Sequence, residues 1–161
     1  MPKKSYKENL VDKPAYEVGS QQVIKGRQNP TMTFMSNDLV PGSNAYIEIG
    51  WIYEMPSPNP HIGIHTHDYP EIVLHIGTDP KNPEYLGGKI EFTVGDEKLV
   101  IEKTSALFIP KGVKHGPLTW KSVVKPHIQM VVMPGAGTIK ESNPAGYLPG
   151  AKNKRKTKRS S

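Results

Sequence analysis

The chain contains no cysteine among its 161 residues. This absence excludes a disulfide framework and a thiolate metal site, so any bound metal ion must be held by nitrogen and oxygen atoms. Long apolar runs are also missing, because no segment reaches the length of a signal-peptide core or of a bilayer-spanning helix. We therefore expect a soluble, cytoplasmic protein without a membrane partner.

Uninterrupted helical patterns are scarce, because 16 prolines and 15 glycines divide the sequence into short pieces. The pieces between these breaks are rich in β-branched and aromatic residues and have the length of strands. One pair of alternating runs flanks Gly95-Asp96, which predicts an antiparallel hairpin. The chain is predicted to be nearly all β, with many short strands in a sandwich, jelly roll or barrel. The predicted strand segments are 45–53, 61–67, 71–76, 89–94, 98–102, 106–109 and 127–133.

The formal charge of +6 is confined to the C-terminus. Residues 151–161 contain six basic side chains and no acidic one, and the remaining 15 Lys and Arg residues equal the 15 Asp and Glu residues. A nucleic-acid-binding domain is expected to carry positive charge on the fold itself, so nucleic acid is not the expected partner. The tail is predicted to be disordered and solvated. The alternative is weak, salt-sensitive attachment of this tail to an anionic surface or nucleic acid.

Four side chains of metal-ligand type lie in two short segments. In HIGIHTHDYPE, His65 and His67 are separated by one residue, so their imidazoles project from the same face of an extended strand. Glu71 follows a predicted turn and begins the next strand, from which its carboxylate can reach the same point. In PKGVKH, His115 follows a Pro-x-Gly turn. No Gly-rich phosphate loop, nucleophile elbow or second carboxylate partnered with Glu71 accompanies them, so a metal site is the chemistry that the sequence supports.

The two segments resemble the two signature motifs of the cupin superfamily. The first motif, a His-x-His followed by Glu and then Gly, is matched by His65, Thr66, His67, Glu71 and Gly77. The second motif, Pro-x-Gly-x-x-His, is matched by Pro110, Lys111, Gly112, Val113, Lys114 and His115. Departures occur at turn and packing positions, where Asn59, Thr104 and Thr119 replace residues common in the motifs. These departures affect strand ends and loop register rather than the ligand set.

The resemblance spans roughly residues 45–135 and implies a cupin-type double-stranded β-helix, a jelly-roll barrel in a single domain. It also implies that His65, His67, Glu71 and His115 are the metal ligands. Three imidazoles and one carboxylate suit one divalent transition metal, namely Fe, Mn, Ni, Co or Zn. Four protein ligands around an octahedral ion leave two positions open, as a catalytic site requires.

Two kinds of function are compatible with such a site. The first is a metal-dependent enzyme of the dioxygenase, isomerase or lyase type that acts on a small carbonyl- or carboxylate-containing molecule. The second is a non-catalytic cupin that binds or senses a small ligand in the same pocket. The resemblance does not select between them, because one fold supports many reactions.

His75 is the candidate catalytic residue beyond the ligands. Counting by twos from Glu71 brings His75 to the same strand face, where it is a candidate proton carrier. The alternative is that the strand twists and His75 makes only a structural hydrogen bond. His61 is expected at a structural or rim position, and His127 is expected to be hydrogen-bonded rather than reactive.

The expected organisation has four parts, and the resemblance implies a homodimer to which the N-terminal arm could contribute an exchanged strand. The parts are an N-terminal arm packing on the barrel (1–44), the cupin β-barrel (45–135), a C-terminal extension (136–150) and the basic tail (151–161).

Overall fold

The computed structural model describes residues 6–16 and 23–136. Within these residues one short 3-10 helix, Lys7–Asn9, precedes nine strands, so the all-β prediction is confirmed. No helix in this part of the chain has the length and hydropathy that crossing a bilayer requires. The strands are β1 (Lys25–Arg27), β2 (Met32–Met35), β3 (Ala45–Ser57), β4 (Glu71–Gly77), β5 (Tyr85–Val94), β6 (Glu97–Lys103), β7 (Ser105–Ile109), β8 (His115–Val123) and β9 (His127–Pro134).

The strands form two antiparallel sheets. The first has the order β1-β3-β9-β4-β7, with β2 also paired to β3, and the second has the order β6-β5-β8. The predicted hairpin at Gly95-Asp96 is confirmed, since Val94 pairs with Glu97 across it. Strands of both sheets contribute side chains to one hydrophobic core, so the sheets face each other. This arrangement is consistent with the predicted cupin-type jelly-roll barrel.

Alternation along the strands decides which side chains enter the barrel. On β4, Glu71, Val73 and His75 are buried while the residues between them are only partly so. The apolar core lies between the sheets, and each large side chain buried there contributes about 1.5–3 kcal/mol by leaving water. Its fully or nearly fully buried members are Ile52, Val73, Leu86, Ile90, Phe92, Ile109, Leu118 and Trp120.

Of the residues described before β3, strands β1 and β2 join the first sheet by pairing with β3. The division of the chain at residue 44 stays a prediction. Of the predicted C-terminal extension only the buried Ala136 is described, and the predicted basic tail lies outside the described residues.

Candidate metal centre

Main-chain pairing brings two of the four predicted ligands together. His65 and His115 exchange backbone hydrogen bonds in both directions, each 2.9 Å long. The close approach depends on Gly116, whose φ is +97° and whose added Cβ would lie 2.3 Å from the carbonyl oxygen of Gly63. Any other residue there would be strained and would push β8 away from the segment that carries His65.

The other two ligands are placed by the turn that leads into β4. Glu71 is the first residue of β4 and points inward. The His67 carbonyl accepts a hydrogen bond of 3.0 Å from the Gly112 amide, which ties the first motif to the Pro-x-Gly turn of the second. The ring of Tyr69 stacks on His67 at a centroid distance of 4.1 Å. The two sequence motifs therefore meet at one end of the barrel.

The four side chains form a group whose size suits one ion. One ligand atom from each of His65, His67, Glu71 and His115 lies within 4.8 Å of the others. Metal–ligand bonds of about 2.1 Å place adjacent ligand atoms of an octahedral ion about 3.0 Å apart and opposite ones about 4.2 Å apart. Nε2 of His67 lies 2.7 Å from Oε2 of Glu71, and Nε2 of His115 lies 3.3 Å from the same oxygen.

Each of the three imidazoles is oriented by a main-chain carbonyl two residues away. Nδ1 of His65 donates to Gly63, Nδ1 of His67 donates to Tyr69, and Nδ1 of His115 donates to Val113, over 2.9, 3.0 and 2.8 Å. A carbonyl oxygen only accepts, so the proton of each neutral ring is on Nδ1 and the lone pair is on Nε2.

With neutral rings, the Nε2 atoms of the three histidines and the Glu71 carboxylate are all acceptors. Two acceptors 2.7 Å apart, Nε2 of His67 and the carboxylate, repel each other unless a proton or a metal ion lies between them. Nε2 of His115 is buried and has no hydrogen-bond partner among the described residues. A divalent cation would satisfy all of these atoms at once, so the residues present fit the metal that the motifs imply.

The electrostatics of the group also favour a cation. Burial alone would raise the pKa of Glu71, but the imidazoles of His115 and His67 outweigh burial and lower this pKa to about 2. Burial tends to lower the pKa of His115, but its interactions with Glu71 and with the Val113 carbonyl together outweigh burial and raise this pKa. Burial lowers the pKa of His65. Glu71 is thus ionised at neutral pH and supplies the anionic ligand.

A cavity of about 90 Å³ adjoins the four side chains. Arg27 and Glu48 also line it, and Nη2 of Arg27 lies 3.3 Å from Oε1 of Glu48. The sequence analysis missed both residues. A signal for Glu48 existed, because it lies two residues from each of the inward-facing Tyr46 and Gly50 and so shares their face of β3.

His75 faces into the barrel, as the alternation predicted. It lies with its ring centroid 6.1 Å from Trp120 and 6.4 Å from His127, and it is not among the described residues that line the cavity. Its catalytic role stays a prediction. His127 is hydrogen-bonded as expected, because its Nε2 accepts from the Trp120 indole over 3.1 Å. His61 is fully buried and stacked on Trp120.

No protein-family model and no curated protein matches the chain. Similar solved structures include a cupin protein from Bacteroides fragilis (18% identity, 74% of this chain, 82% of that chain, TM-score 0.42). Others are KdgF from Halomonas sp. (12% identity, 71% and 84%, TM-score 0.45) and the cupin domain of Schizosaccharomyces pombe Cnp3 (9% identity, 71% and 69%, TM-score 0.45). Proteins described as cupins are thus among the structures similar to this chain, as the motifs predicted. At these identities and TM-scores, the similarity carries no argument about ligand or reaction.

Proposed function

We propose that the chain is a cupin-type metalloprotein that binds one divalent transition metal ion through His65, His67, Glu71 and His115. The observation that carries this proposal is the shared orientation of the three imidazoles, whose Nε2 lone pairs converge on one ionised carboxylate. The nitrogen and oxygen donor set suits Fe, Mn, Ni, Co or Zn.

The reaction we propose is one on a small carbonyl- or carboxylate-containing molecule, of the dioxygenase, isomerase or lyase type. A metal ion bound here would supply Lewis acidity beside a cavity of about 90 Å³. The chain's own residues hold the ligand orientations, and Val131, Phe92 and Leu118 contribute apolar walls to the cavity. A ligand bound without turnover would instead favour the non-catalytic alternative.

The proposal is tested by metal content. The full chain is stripped with a chelator, reloaded separately with each of the five metals, and analysed by elemental emission. We expect one equivalent of at least one metal, and an affinity about 100-fold lower in His115→Ala, because one of four ligands is lost. Glu71→Gln keeps the side-chain shape and removes the anionic ligand, so it should also lose affinity.

His75→Phe is the matched control, since His75 is a buried histidine of the same β4 face that lies outside the ligand group. It should retain full metal content. Absence of stoichiometric metal from the reloaded native chain, or an equal loss in His75→Phe, would overturn the proposal.

A further inference from the structure

An irregular pairing of β1 with β3 turns Arg27 into the barrel. Gly26 has φ +80°, and an added Cβ would lie 2.6 Å from the Met55 carbonyl oxygen, so only glycine fits this close approach of β1 to β3. Two residue steps along β1, from Lys25 to Arg27, are matched by five along β3, from Ser57 to Ile52, so the extra residues lie in β3. Irregular pairing of this kind redirects side chains. Lys25 is accordingly exposed, whereas Arg27 is only 7% exposed.

Two hydrogen bonds fix the main chain of Arg27, and a glycine on β3 leaves room for its side chain. The Arg27 carbonyl accepts hydrogen bonds from the side-chain Nδ2 of Asn29, over 2.7 Å, and from the Tyr53 hydroxyl, over 2.9 Å. On the neighbouring strand Gly50 has no side chain, and a Cβ there would lie 2.9 Å from the Thr31 methyl group and 3.7 Å from Nε of Arg27. The guanidinium therefore crosses β3 and reaches the cavity that the metal ligands line.

The guanidinium is incompletely paired where it lies. Its contact with Glu48 is a single one, from Nη2 to Oε1 at 3.3 Å, rather than the two parallel bonds of a bidentate pair. Nε is buried and has no acceptor among the described residues. A buried donor without an acceptor is costly, so the guanidinium is available to an acceptor from outside the described residues.

The charges of the cavity select the kind of acceptor. A divalent ion and Arg27 bring three positive charges, while Glu71 and Glu48 bring two negative ones, so one positive charge is left in a largely buried site. Burial raises the pKa of Glu48 although Arg27 opposes this, and protonation of Glu48 increases the surplus. An anion is thus favoured over a neutral ligand.

We propose that Arg27 binds the carboxylate of a small monocarboxylic acid whose other end faces the metal ligands, and so makes the cavity a carboxylate subsite. This inference rests on the proposed function, because it assumes a metal ion held by the four ligands. The cavity of about 90 Å³ accommodates roughly six to nine water-sized groups, which is the size of a short 2-hydroxy or 2-oxo acid.

The test uses the full chain loaded with Co(II), titrated with sodium lactate and, as an uncharged control of equal size, lactamide. Binding is followed by calorimetry and by the visible absorption of Co(II). Lactate should bind at least about 10-fold more tightly than lactamide, the range of one charge-assisted hydrogen-bonded contact. Arg27→Met should lose that preference while its Co(II) content and lactamide affinity stay unchanged.

Two further variants protect the test against a folding defect in Arg27→Met. Arg27→Lys keeps the charge but lacks the Nε donor and the planar fork, so its lactate affinity should fall between those of the native chain and Arg27→Met. Glu48→Gln removes the competing carboxylate, so its lactate affinity should equal or exceed the native value.

The outcomes separate this inference from the proposed function. A native chain that retains none of the five metals, Co(II) included, contradicts the proposed function. A chain that retains Co(II) but does not bind lactate, or binds lactate and lactamide equally, overturns only the role of Arg27. Unchanged lactate affinity in both Arg27→Met and Arg27→Lys overturns it as well.

Discussion

The barrel contains two groups of buried or half-buried histidines that differ in what surrounds them. The metal-side cluster consists of His65, His67 and His115 with Glu71. The indole-side cluster consists of His61, His75 and His127 around Trp120. In the metal-side cluster, every Nδ1 donates to a main-chain carbonyl, and the three rings are grouped with one carboxylate, that of Glu71. In the second, both nitrogens of His61 and of His75 lack hydrogen-bond partners among the described residues.

The difference shows that neighbouring charge, rather than residue type, decides what a buried histidine does. Glu71 raises the pKa of His115 against the effect of burial. Burial lowers the pKa of His75 to about 3, with a smaller contribution from His127, and burial lowers that of His61 to about 3 with a contribution from Arg27. The metal-side cluster attracts cations, whereas the indole-side cluster stays neutral and packs as part of the core.

Trp120 organises the second cluster. The Asn59 side chain clamps its main chain, donating to the Trp120 carbonyl over 2.6 Å and accepting from its amide over 3.0 Å. His61 stacks on the indole with ring centroids 5.2 Å apart. The indole N–H donates to Nε2 of His127, which must be neutral to accept. These contacts are structural, and they make the two clusters separable by mutation.

The largest expected effect comes from Trp120→Ala. The side chain is 1% exposed, so its removal leaves a large cavity and should lower the free energy of unfolding by about 3–5 kcal/mol. Urea unfolding measures this loss. Metal affinity of the folded variant should stay within about threefold of the native value, because no metal-side contact is removed. A loss of metal affinity as large as that of His115→Ala would mean that the two clusters act as one unit.

The second prediction is that acid reduces the stability contributed by the indole-side cluster. Because the folded-state pKa of His75 lies near 3 and the unfolded value is about 6.5, the unfolded chain binds a proton between these values that the folded chain does not. The stability that neutral His75 provides is present above pH 6.5 and is lost as pH falls through this window. At pH 5 the loss amounts to about 2 kcal/mol for one histidine.

His75→Phe isolates this effect. Unfolding free energies of the native chain and the variant are measured from pH 7.5 to pH 5 with the metal chelated, so that occupancy does not change. The native chain should lose about 2 kcal/mol more than the variant over this range. Parallel pH profiles would show that His75 titrates normally in the folded chain and would remove the contrast between the clusters.

Metal addition should have an effect of comparable size that is confined to the metal-side cluster. At a free metal concentration 100-fold above the dissociation constant, binding stabilises the native chain by about 2.7 kcal/mol. The same increment is expected in His75→Phe, since that variant keeps the four ligands, and it should disappear in His67→Ala. Thermal unfolding with and without metal measures it. An equal increment in His67→Ala would place the ion elsewhere.

Local spacing made the metal-side cluster predictable from sequence. His65, His67 and Glu71 lie within seven residues and a turn of fixed pattern precedes His115, so both segments could be matched to the motifs whose resemblance implied that they meet. Strand alternation likewise predicted that His75 faces inward. It could not predict what His75 meets, because that depends on the β5–β8 pairing, whose register shifts between Lys89 and Ile90.

The residues that sequence analysis missed are those whose direction depends on distant pairing. Arg27 enters the barrel because the pairing of β1 with β3 is irregular beside Gly26, and the two strands come from separate segments of the chain. His61, expected at a structural or rim position, lies fully buried on the face of Trp120, which is a structural position. Its partner is 59 residues away, so no local pattern could indicate the stack.

The anchoring of each metal-side imidazole to a carbonyl only two residues away has a consequence for how a metal ion would be acquired. The rings keep their orientation through short stretches of main chain, and none of the four ligands belongs to the hydrophobic core. Small zinc domains, in contrast, fold only when the metal arrives. A barrel of this kind would fold first and be loaded later, so the metal it bound would be set by supply and exchange rather than by the conditions under which the chain folded.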